Sequence, residues 1–208
     1  MLRIAGALVL IAAFVVIELR SRQPLVPFSI FRNRTLRGAN VVGLLTGMSL
    51  FSMFFLITLY LQLVLGLSAL DAGLAYLPLA VSIILAAGMA GQLVTRLGFK
   101  PVVITGMVTV GIALAWFSQI SPDGTYLADV LVPSILAGIG LGLTFVPVTI
   151  AAMSGTKREE AGLASGLINT SQQVGGALGL AILSSIANST TQDSFQTGAS
   201  QLVALTDG

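Results

Sequence analysis

The charges of this chain are placed so that long stretches carry none. Residues 38–70, 72–95, 101–122, 130–156 and 161–192 contain no Asp, Glu, Lys or Arg. A helix needs about 20 mostly apolar residues to cross the hydrocarbon core of a bilayer, and each stretch reaches that length. Five spanning helices are therefore predicted. A sixth candidate runs over residues 4–17. Arg3 precedes it and Glu18, Leu19, Arg20, Ser21 and Arg22 follow it. A basic start before an apolar run is also a signal-peptide pattern. The basic run after it and the lack of a small-residue cleavage site favour a span. Barrel strands are excluded, because they alternate over roughly ten residues. The runs here are continuous, and helices satisfy their own backbone groups in lipid.

Composition narrows the function classes. Charged residues make up 9% of the chain and hydrophobic ones 55%, against about 25% charged in a soluble domain. Disorder is excluded, since it needs low hydrophobicity and high net charge. With no Cys and no His, the chain lacks a disulfide frame, a thiol nucleophile and the commonest metal ligand. No metal, cofactor or enzyme activity is expected. The net charge of +2 has no basic stripe or aromatic platform behind it, so nucleic acid is not an expected partner.

The cations set a topology instead. All except Arg3 fall in three places: Arg20, Arg22, Arg32, Arg34 and Arg37; then Arg96 and Lys100; then Lys157 and Arg158. If spans alternate, these lie on one face, which the positive-inside rule makes cytoplasmic. Asp71, Asp123 and Asp129 lie opposite, and the expected location is the plasma membrane, crossed several times. The predicted divisions are a transmembrane linker helix over 1–18, a basic cytoplasmic linker over 19–38, a five-helix bundle over 39–187 and a polar tail over 188–208. The tail is expected to be exposed, mobile and extracytoplasmic. Tyr60, Trp116 and Tyr126 sit near predicted outer span ends, where aromatic rings favour the headgroup level.

Within the five strong spans the candidate site residues are uncharged. Gly162, Ser165, Gly166, Asn169, Gln172, Gln173, Gly176 and Gly179 or Leu180 recur at steps of three and four, forming one small-and-polar helix face. Amides facing lipid are costly. This face is read either as glue between helices or as the wall of a substrate cavity. Thr46, Ser49, Met53 and Gln62 are cavity candidates on the first strong span, and Ser165, Asn169, Gln172 and Gln173 on the last. Gly43/Gly47, Gly138/Gly142, Gly162/Gly166 and Gly175/Gly179 have the spacing of close helix contacts. Pro78, Pro133 and Pro147 interrupt spans, and Pro147 predicts a bend. Ser68 with Asp71 fits a capping box.

Combined, these segments resemble a known family. Tyr60-Leu61-Gln62 through Ser68-Ala69-Leu70-Asp71-Ala72-Gly73-Leu74 to Leu77-Pro78 resembles the junction of the seventh and eighth helices of drug:proton antiporters in the major facilitator superfamily. The fourteen-helix subfamily, of EmrB/QacA type, is the nearest in pattern. Gly91-Gln92-Leu93-Val94-Thr95-Arg96-Leu97-Gly98-Phe99-Lys100 is similar to its C-half cytoplasmic loop motif, whose conformational residues would be Gly91, Arg96, Gly98 and Lys100. Thr95 stands where that motif carries an acid, a departure that bears on the charge latch made there. Asn169-Thr170-Ser171-Gln172-Gln173-Val174-Gly175-Gly176 resembles the eleventh helix. The resemblance implies part of a C-terminal transporter half, with about six helices, and a cationic or amphipathic small molecule as substrate of the intact transporter. It also implies an N-terminal half supplied elsewhere, or a chain inactive alone. The alternative is a helical membrane protein that binds other helices without transporting.

Overall fold

The computed structural model describes residues 2–21, 28–120, 124–154 and 160–206. It is an all-α membrane bundle with seven helices among the described residues: α1 (Leu2–Arg20), α2 (Arg34–Leu59), α3 (Ala69–Ala75), α4 (Leu77–Leu97), α5 (Phe99–Phe117), α6 (Val132–Met153) and α7 (Ala161–Thr206). A short 3-10 turn, Phe28–Arg32, leads into α2, and π-helical turns at Tyr60–Val64 and Tyr126–Leu131 extend α2 and precede α6. Arg22, Asp123, Lys157 and Arg158, which the charge reading uses, lie outside the described residues.

Helix ends follow local chemistry. Asn33 caps α2, its Oδ1 accepting from the Thr35 N–H at 2.9 Å and the Leu36 N–H at 3.3 Å. At the far end, Leu65 N–H reaches back to Tyr60 O at 3.1 Å, and Gly66 at φ +65° ends the turn. Only glycine adopts that conformation without steric cost. Ser68 caps α3: its Oγ accepts from the Asp71 N–H at 3.2 Å and donates to Asp71 Oδ2 at 2.7 Å. Pro78 falls in the first turn of α4 and Pro133 in that of α6, where the missing N–H costs nothing. Pro147 lies inside α6, which nonetheless continues as helix to Met153. Gly98, at φ +82° and ψ 165°, is the single residue between α4 and α5.

Helix α6 is the centre of the bundle. It packs along α4 and α5 and also touches α2 and α7. Helix α7 packs mainly along α2. The core falls into two clusters. Met53, Ile57, Leu61, Leu79, Val110 and Leu141 belong to one, at the acid-bearing end. Ile30, Leu36, Ala39, Val148, Ala164 and Ile168 belong to the other, at the basic end. Small residues let the backbones meet between and around them. A Cβ on Gly138 would lie 2.6 Å from Leu79 O, and one on Gly140 would lie 2.7 Å from Val110 N.

The outer surface is apolar. Leu63 is 77% exposed, Ile84 69% and Leu85 64%, and soluble proteins do not display such surface contiguously. Among the described residues, four stretches are long and apolar enough to cross a membrane: Arg34–Val64, Ala69–Leu97, Phe99–Phe117 and Tyr126–Met153. The charge-free lengths predict one more strong span, along α7. That helix carries Asn169, Gln172 and Gln173 in its first half. Helix α1 has 19 residues, a length of about 28 Å. Helix α7 continues past residue 187 and runs on to Thr206.

Candidate functional site

The amide-bearing face of α7 is set by how that helix docks on α2. Gly43 and Gly47 of α2 face Ile168 and Gln172, and a side chain on Gly47 would run into the Gln172 carbonyl. Gly175 meets the Leu44 carbonyl in the same way, Gly176 meets the Phe51 ring, and Gly179 meets Met48 and Ser52. Ser171 Oγ donates to Asn40 Oδ1 at 2.7 Å across the contact, while Asn40 Nδ2 donates to its own helix at Leu36 O, 2.9 Å away. Crossing contacts of this kind, made by small residues and single hydrogen bonds, are how helices associate without a hydrophobic driving force.

The sequence face therefore divides. Gly175, Gly176 and Gly179 are buried against α2, with Gln172 half-buried beside Gly43. Ser165, Asn169 and Gln173 are exposed, as are Gly162 and Gly166. Nothing lies within 4 Å of a Cβ on either of those two glycines, so their spacing does not mark a contact here. The exposed amides form a polar strip on the flank of α7 that α2 leaves uncovered.

Two of the cavity candidates on α2 are buried within the bundle. Thr46 is 2% exposed; its hydroxyl donates to Val42 O at 2.8 Å and lies 3.7 Å from Met107 Sδ of α5. Met53 is 4% exposed and packs with Ile57 and Leu61. The composition of the span suggested a lining, but helical rotation turns both inward. Ser49 bonds back to Leu45 O at 2.9 Å. Gln62 is exposed on the π turn beyond α2. The structure does not gather these four with the α7 amides.

The loop motif has a definite shape. Arg96 and Lys100 are exposed on either side of Gly98, whose backbone region is accessible essentially to glycine alone. Thr95 Oγ1 donates to Gln92 O at 2.7 Å, so the residue at the motif's acid position is tied to its own helix. Asn33 also donates to Ser154 O at 3.3 Å, which fastens the start of α2 to the end of α6. At the opposite end, the Tyr126 hydroxyl donates to Ala75 O at 2.9 Å. Tyr76 stacks on Phe54 with centroids 4.7 Å apart, and its hydroxyl bonds Phe54 O at 3.1 Å. Those contacts were not legible in the spacing, because each joins helices remote in sequence. Among the described residues no group of His, Cys, Asp or Glu could hold a metal ion.

Comparison with known proteins agrees with this arrangement of apolar helices joined by tight loops. The Major Facilitator Superfamily model matches residues 4–180. The chain belongs to this superfamily. It is 36% identical to a cephamycin export protein of Amycolatopsis lactamdurans, over 92% of this chain and 40% of that protein. It is 35% identical to a lincomycin resistance protein of Streptomyces lincolnensis, over 87% of the chain and 37% of that protein. A multidrug transporter protein of Bacillus subtilis strain 168 is 28% identical over 88% of the chain and 34% of its own length. The chain thus spans well under half the length of these superfamily relatives. Its apolar helices and their kinship make it a multi-pass membrane protein.

Proposed function

We propose that this chain forms the C-terminal helices of a proton-coupled multidrug efflux antiporter and that it exports small cationic or amphipathic molecules only together with an N-terminal half. The observation that carries the reading is the exposed amide strip, Asn169 and Gln173, on a helix whose opposite flank is clamped to α2. Unpaired amides are costly in hydrocarbon, so the strip belongs against water or a second bundle. In superfamily transporters two bundles alternate access to a central site between them. The strip then supplies one wall of that site, and relatives named as exporters and resistance proteins support a small-molecule substrate. The basic end, with Arg34, Arg37, Arg96 and Lys100, faces the cytoplasm by the positive-inside rule.

Co-expression with an N-terminal half from such a transporter tests this. Cells should regain efflux of a fluorescent cationic dye, and a protonophore should abolish it. Asn169→Leu and Gln173→Leu should each raise the dye concentration for half-maximal efflux about fivefold, the loss of one hydrogen bond of roughly 1 kcal/mol. Unchanged efflux in the double variant would remove the strip from the site.

A further inference from the structure

The starts of α2 and α5 and the end of α6 leave a cleft of about 320 Å³ between them. Its volume lies within the range of small-molecule sites, about 300 to 1,000 Å³. Its walls are apolar: Gly38 and Val42 come from α2, Phe99 and Val103 from α5 and Ala151 from α6. Arg34 and Lys100 also line it, one cation from each of two helices. Both are exposed, and among the described residues neither side chain has an acidic partner. Ile104, also on the lining, is 63% exposed, so the cleft opens toward the apolar outer surface of the bundle.

We infer that this cleft binds an anionic phospholipid. The headgroup phosphate sits between Arg34 and Lys100, and the adjoining acyl chain lies along Gly38, Val42 and Val103. A free phosphate would use the cations but leave the apolar walls uncovered. A neutral lipid would use the walls but leave the two cations without a counter-charge. Basic pockets between membrane helices have the charge to hold anionic headgroups, and each nearby Lys or Arg strengthens such binding about fivefold. Gly38 keeps the groove open, since nothing lies within 4 Å of a Cβ placed there. The inference needs the chain in a membrane but does not depend on transport.

The test uses the purified chain in mild detergent. Retained lipid is read by native mass spectrometry and stability by thermal melting, with phosphatidylglycerol, phosphatidylcholine and inorganic phosphate compared. Phosphatidylglycerol should be retained at one saturable site and raise the melting temperature more than either of the others. Arg34→Gln and Lys100→Gln should each weaken that retention about fivefold, and the pair together about thirtyfold. Arg34→Lys should keep it. Gly38→Leu should displace the lipid by filling the groove, with the helical circular dichroism signal unchanged. Equal retention of phosphatidylcholine would overturn the proposal, as would equal stabilisation by inorganic phosphate. Undiminished phosphatidylglycerol binding in the charge variants would overturn it too.

Discussion

Single residues in this protein act chiefly by being small. Gly47 and Gly175 sit where α2 and α7 cross, each against a carbonyl of the other helix. Adding a methyl group there must push two backbones apart. Gly47→Ala should therefore cost about 1–3 kcal/mol. Gly166→Ala, on the open side of α7, should gain up to about 1 kcal/mol from helix propensity. Thermal melting of the two variants in the same detergent would show opposite shifts. Both glycines belong to pairs of identical spacing, and the spacing does not distinguish them. What separates them is whether another helix lies over that face. The same limit applies to Thr46 and Met53, whose types suit a polar or adaptable lining but whose rotation on α2 puts them in the interior.

At the scale of elements, tight links and caps hold the bundle's ends. Asn33 does two jobs at once, capping α2 and donating to the Ser154 carbonyl just past the end of α6. Loss of an N-cap costs about 1 kcal/mol. Asn33→Ala should lose that much and should also speed amide exchange at the last turn of α6, where the tie is released. Exchange confined to the first turn of α2 would show that the cap matters and the tie does not. The Ser68 cap was legible because its partners lie within one turn of sequence. The Asn33 to Ser154 bond was not, since the two residues are brought together by folding. Helix α7 also runs on through the polar residues beyond 187.

Across the whole molecule, burial is uneven. Of the 22 residues of α6, 12 are buried, against 3 of 21 in α4 and 4 of 19 in α5. Helix α6 is the hub, and α7 is held mainly by α2. Regions with few buried contacts open first. Amide exchange should therefore release α7 well before α6, by a measured gap of about tenfold or more in rate. A uniform rate along the two would contradict the hub arrangement. The helical nature of the spans, the rough extent of four of them and the collection of basic residues near a few loops were determined by sequence alone. These depend on chain length against bilayer thickness and on the cost of charge in hydrocarbon, which act residue by residue. Which glycines meet, which polar side chains stay outside and where a cleft is left depended on the tertiary structure. Those outcomes depend on the rotation of each helix about its axis, and packing against a partner sets that rotation.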